Sequence, residues 1–107
     1  MHSRLDRVKD WDAVAIECHF HVHAVALKFR VTDRQLQRYF QRRFGTTPKT
    51  WLDARRIDIA IEHLLNGDPV KVVASDLRFK QPSAFSNFFK RHKGTPPTKY
   101  QGDASAG

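Results

Sequence analysis

Residues 37–48 read QRYFQRRFGTTP and residues 86–97 read SNFFKRHKGTPP. Aromatics, a basic cluster, Gly-Thr and a proline recur in matching places, so this short chain writes one structural unit twice. Working outward, Ala26, Phe29 and Arg30 match Ala74, Leu77 and Arg78 at a spacing of 48, whereas Leu36, Phe40, Gly45, Thr46, Pro48 and Trp51 match Phe85, Phe89, Gly94, Thr95, Pro97 and Tyr100 at 49. One residue is therefore inserted near Lys80 to Pro82. Two copies are too few for a solenoid, whose units bury their faces only by stacking in longer arrays. They point to a duplicated subunit joined by a linker.

Within each copy the apolar residues follow helical spacing: Leu36, Tyr39, Phe40 and Phe44 in the first, Phe85, Phe88 and Phe89 in the second. A shorter helical piece precedes each, with Val22, Val25, Ala26 and Phe29 on one face and Val70, Val73, Ala74 and Leu77 on its counterpart. Small Ala26 and Ala74 let a second helix approach closely. Thr32 or Asp33 in one copy, and Gln81 with Pro82 in the other, have the chemistry of helix starts. A short helix, a tight turn and a longer helix make a helix-turn-helix.

Between the copies, Thr47 as N-cap and Pro48 at the first helical position open a helix that stops at Asn66-Gly67-Asp68-Pro69. Ile57, Ala60, Ile61, Leu64 and Leu65 form its apolar stripe. Its 18 residues, Pro48 to Leu65, span about 27 Å, a length suited to two reading helices that must stand roughly 34 Å apart along one face of a duplex. At the N-terminus Leu5, Val8, Trp11, Ala15 and Ile16 predict one opening helix, broken near Asp10. Residues 97–101 predict a last short helix, and 102–107 a mobile tail. The expectation is an all-α chain of about seven helices without a strand. Residues 1–47 form a first subdomain, 48–66 a linker helix and 67–101 a second subdomain.

The 107 residues carry a net charge of +8, with 19 Lys and Arg against 11 Asp and Glu. Residues 28–49 and 78–99 are each +6, while the other 63 residues carry −4. The positive charge is thus confined to the two stretches that repeat, which implies an anionic partner. No apolar run approaches the roughly 18 residues of a membrane span, and the start lacks a secretory h-region. Cys18 stands alone, so no internal disulfide forms. These features predict a cytoplasmic protein.

Stepping residues at about 100° per position, Leu36 and Phe40 mark the buried side of the longer helix in the first unit. Arg34, Arg38 and Gln41 then fall opposite, with Gln37 and Arg42 on the flanks. The second unit turns Ser83, Asn87 and Lys90 outward, flanked by Ser86 and Arg91. Arg pairs with the guanine edge and Gln or Asn with adenine, while phosphates take Arg, Lys and backbone N–H groups. The competing reading is a solvated charged face. Such faces mix signs, and Asp33 is the sole acid in the two basic windows.

The chain resembles the DNA-binding domain of the AraC/XylS family of bacterial transcription regulators over residues 12–101. The resemblance is carried most strongly by Ala74, Phe79, Ser83, Phe85, Phe89, Lys90, Gly94, Pro97 and Tyr100. It implies two recognition helices, about 33–44 and 82–91, in adjacent major-groove segments of an asymmetric promoter, in the bacterial cytoplasm at the nucleoid. It carries base contacts onto Arg34, Gln37, Arg38, Ser83, Ala84 and Asn87, to which the outward face adds Gln41. Phosphate contacts are expected from Arg30, Arg42, Lys49, Arg78, Lys80, Lys90 and Arg91. The family usually has glycine where Arg30 and Arg78 stand. A non-glycine residue there must accept positive φ or reshape the turn. The family's separate effector domain has no room here, so the chain is either a fragment or a short regulator acting as a monomer.

Cys18, His19, His21 and His23 carry metal-ligand chemistry, but alternating residues face one way only on a strand, and CHFHVH reads as a loop. No metal or cofactor is expected. Trp51 and Tyr100 read as packing anchors rather than stacking platforms, because the aromatics lie on the apolar stripe. No nucleophile elbow, Gly-rich phosphate loop or carboxylate pair is present, so catalysis is not expected. Two rivals remain: a sequence-tolerant architectural DNA binder, and a module that contacts RNA polymerase, for which Asp53, Asp58 and Glu62 offer a face.

Overall fold

The computed structural model describes residues 4–101; the tail expected at 102–107 lies outside them. A 3-10 turn, Arg4–Arg7, precedes six α-helices: α1 Trp11–Glu17, α2 Val22–Lys28, α3 Asp33–Phe44, α4 Pro48–Leu65, α5 Val70–Asp76 and α6 Pro82–Lys93. A second 3-10 turn, Pro97–Tyr100, ends the described chain. No strand occurs among the described residues. The expected opening helix is two pieces because Asp10 caps the second: its Oδ1 accepts from Ala13 N at 3.1 Å. The chain divides into two compact units between Arg55 and Arg56, inside α4.

The first unit is built on a ring cluster. Trp11 lies 5.0 Å from Phe40, 5.9 Å from Phe29 and 6.3 Å from Trp51, and Trp51 lies 5.3 Å from Phe44. Leu5, Val14, Ala15, Phe20, Val25, Ala26, Leu36, Tyr39 and Leu52 close the core around it. In the second unit, Ile57, Ala60, Leu64, Val73, Ala74, Leu77, Phe85 and Phe89 are buried, and Tyr100 packs 5.3 Å from Phe89. Trp51 and Tyr100 are thus packing anchors. Fully burying a ring such as Phe40 or Phe89 stabilises by about 1.5–3 kcal/mol.

Two residues expected on the buried stripes are exposed: Ile16 at 54% and Leu65 at 59%. On α1, Trp11, Val14, Ala15 and Cys18 set the inward direction, and Ile16 falls about 150° from its centre. Leu65 is the last residue of α4 and sits at the edge of its stripe.

The turn inside each unit is the same hydrogen-bonded cap. Arg30 N donates to Leu27 O at 3.2 Å and Val31 N to Ala26 O at 3.0 Å. In the second copy Arg78 N donates to Ser75 O and Phe79 N to Ala74 O, both at 3.0 Å. This is the Schellman arrangement, in which the residue after the cap is left-handed. Arg30 has φ 55° and Arg78 φ 68°. Both arginines therefore accept positive φ where glycine would relax, at about 1–2 kcal/mol each. The repeated alanines accept the bond that spans the most residues in each cap, a second reason for their recurrence beyond close helix approach.

Candidate nucleic-acid interface

α3 begins with a reciprocal cap. Gln35 N donates to Thr32 Oγ1 at 3.0 Å, and Thr32 N donates to Gln35 Oε1 at 2.8 Å. Asp33 at the first helical position approaches His23 Nδ1 at 3.2 Å. With Leu36 and Phe40 buried, the opposite face presents Arg34, Gln37, Arg38, Gln41 and Arg42 together. These five line one shallow, open depression of about 630 Å³. Gly45 ends the helix with φ 71°, its N–H bonded to Gln41 O. Arg34, Arg38 and Arg42 take part in none of the ion pairs seen among the described residues. A set of guanidinium and amide donors on one helix face suits the major-groove edges of base pairs.

α6 starts differently. Pro82 occupies the first turn, and Gln81 makes no side-chain cap. Ser83, Asn87, Lys90 and Arg91 are exposed, while Ala84 is half-buried and offers only a methyl edge. Lys80 and Arg78 lie exposed in the turn before it. Lys49, at the start of α4, holds Asp53 Oδ2 at 2.9 Å. Outward chemistry on α6 is thus weighted toward cations and hydroxyls, and on α3 toward bidentate donors.

Two arginines missed by sequence reasoning hold the frame. Arg55 Nε and Nη2 donate to the Asp12 carboxylate at 2.9 and 3.3 Å, tying α4 to the first turn of α1. Its neighbour Arg56 serves the second unit. Arg56 Nε and Nη2 donate to Leu77 O at 3.2 and 2.7 Å, and its guanidinium lies 3.8 Å from the Phe79 ring centre. A cation at the C-terminal carbonyls of α5 is favoured by the helix dipole. The signal available in the sequence was a pair of bases on the otherwise acidic linker.

The histidine stretch scatters. Cys18 is buried at the end of α1, and burial followed by the Glu17 charge pushes its thiol pKa up. His19 and Phe20 both have positive φ, and His21 stands at the N-cap of α2. Among the described residues no three His, Cys, Asp or Glu side chains are grouped to hold a metal ion, and no helix is long and apolar enough to cross a membrane. Lys28 pairs with Glu17, a hydrogen bond that raises the lysine pKa.

Residues 25–103 match the family model described as a helix-turn-helix domain. The chain is 32% identical over 70 residues to the HTH-type transcriptional regulator RipA of Corynebacterium glutamicum, covering 65% of this chain and 21% of that protein. It is 29% identical over 72 residues to the HTH-type transcriptional regulator NimR of Escherichia coli K12, covering 67% of this chain and 26% of that protein. It therefore spans about a quarter of the length of these curated relatives. Among solved structures, the DNA-binding domain of AdpA, a global transcriptional factor in complex with a target DNA, is 32% identical. The likeness covers 82% of this chain and 83% of that one, with a TM-score of 0.70.

Proposed function

Because the chain belongs to the AraC/XylS-type helix-turn-helix family, we propose that it is a transcription regulator binding double-stranded promoter DNA sequence-specifically. α3 and α6 enter adjacent major-groove segments of one asymmetric site. The observation that carries this reading is the shared depression of Arg34, Gln37, Arg38, Gln41 and Arg42 on α3. These side chains supply most base discrimination. Ser83, Ala84 and Asn87 add a weaker set on α6. Arg30, Lys49, Arg78, Lys80, Lys90 and Arg91 take phosphates, and Arg42 joins them at the flank of α3. The protein works in the cytoplasm at the nucleoid.

The reading that rivals it is a sequence-tolerant architectural binder, favoured by the excess of plain cations around α6. Footprinting under excess competitor DNA separates the two. A discrete protected site is the expected result; uniform coverage contradicts sequence-specific regulation, and no protection contradicts DNA binding altogether.

A further inference from the structure

Beside the turn of the first unit lies a recess of about 400 Å³ lined by Arg7, Lys28, Phe29 and Arg30. An adjoining hollow of about 280 Å³ brings Lys9 to the same edge. Arg7 and Lys9 lie outside the two basic windows of the sequence, so the fold extends the positive surface to bases that linear charge counting assigned to an acidic remainder. Asp10 Oδ1 caps α1 through Ala13 N, and Glu17 pairs with Lys28 and offsets that charge, which leaves Arg7 and Arg30 as the guanidinium groups of the recess. Arg30 carries the second peculiarity. It holds φ 55° at a position where glycine would fit without strain, and strain that a simpler residue would remove is a pointer to side-chain function. Phe29 also lines the recess, its ring 5.8 Å from Lys28 Nζ, and keeps one wall apolar. Guanidinium groups converging on an open, partly apolar hollow suit a phosphodiester, which accepts paired N–H bonds and presents a sugar edge.

We propose that Arg7 and Arg30 form a phosphate-holding recess that grips the DNA backbone beside the groove entered by α3. This rests on the DNA-binding reading above and adds to it a contact from the opening 3-10 turn. Each phosphate neutralised contributes roughly 0.9 to the slope of log K against log salt. The test measures that slope on a fixed, selected DNA site for the wild type, Arg7→Ala, Arg7→Lys, Arg30→Gly and the double variant Arg7→Ala/Arg30→Gly. Arg7→Ala and Arg30→Gly should each flatten the slope by about 1, the double variant by about 2, and Arg7→Lys should keep it. Arg30→Gly should melt no lower than wild type, so its weaker binding is not a folding defect. Wild-type slopes in both single variants would overturn the recess while leaving the DNA-binding reading intact. Absence of site-specific binding by the wild type would overturn both.

Discussion

Laid over one another, the two units share a scaffold and differ in what they show to the outside. Leu36, Phe40 and Trp51 have buried or packing counterparts in Phe85, Phe89 and Tyr100, and the turns at Arg30 and Arg78 close with the same pair of hydrogen bonds. The outward positions have diverged. Arg34 corresponds to Ser83, Arg38 to Asn87 and Gln41 to Lys90 at equal offsets. Their starts diverge too, with a reciprocal Thr32–Gln35 cap against an uncapped Gln81 followed by proline. Packing restricts the inside of a helix-turn-helix to a few shapes, whereas the outside answers to the groove it meets. We therefore propose that base discrimination falls mainly to α3 and backbone grip mainly to α6.

The largest expected effect tests whether the scaffolds are equivalent. Phe40→Ala and Phe89→Ala each remove a buried ring, 1% and 0% exposed, and should each destabilise by about 3–5 kcal/mol in chemical denaturation. A cost below about 1 kcal/mol for either would break the equivalence. Arg38→Ala should weaken binding by about 1–3 kcal/mol and relax one base position, while Lys90→Ala should weaken all sequences alike and flatten the salt slope. Equal losses of specificity for the two variants would contradict the division of labour.

A stability effect confined to one unit comes next. Arg56→Ala frees the Leu77 carbonyl and should cost about 1–3 kcal/mol. Faster amide hydrogen exchange should appear in α5 and α6, with α2 and α3 unchanged. Thr32→Ala should cost about 1 kcal/mol, whereas Gln81→Ala, which loses no cap, should stay within about 0.5 kcal/mol. The smallest difference concerns alkaline pH. Burial, followed by Asp6, raises the Tyr39 pKa, and the matching position in the second unit is Phe88. A raised folded pKa means that the neutral phenol's contribution is whole below about pH 10, the unfolded value. It is lost as pH rises through the folded one. Tyr39→Phe should remove that alkaline loss in pH-dependent melting.

Much of this architecture was legible because its signals are local. Thr47-Pro48 and Asn66-Gly67 bound α4 where expected, since Thr47 Oγ1 accepts from Thr50 N at 3.2 Å and Gly67 takes φ 94° at the far end. The outward set on α3 follows from helical stepping because Leu36 and Phe40 are buried. What escaped depends on contacts distant in sequence. The Arg56 hydrogen bonds to Leu77 cross 21 positions and the Arg55 pairing with Asp12 crosses 43, so periodicity carries no trace of either. Ile16 and Leu65 misled because an apolar residue next to a stripe is easily counted into it. The recess at Arg7 was hidden for a third reason: charge windows along the chain do not register bases brought beside them by folding.

The unequal roles of α3 and α6 are tested most directly by selecting bound duplexes from a random DNA pool with the wild type and Arg38→Ala. The wild type should recover an asymmetric site whose sequence information is concentrated in one half, and Arg38→Ala should erase preference within that half alone. Equal information in both halves, or an unchanged site in the variant, would contradict the account.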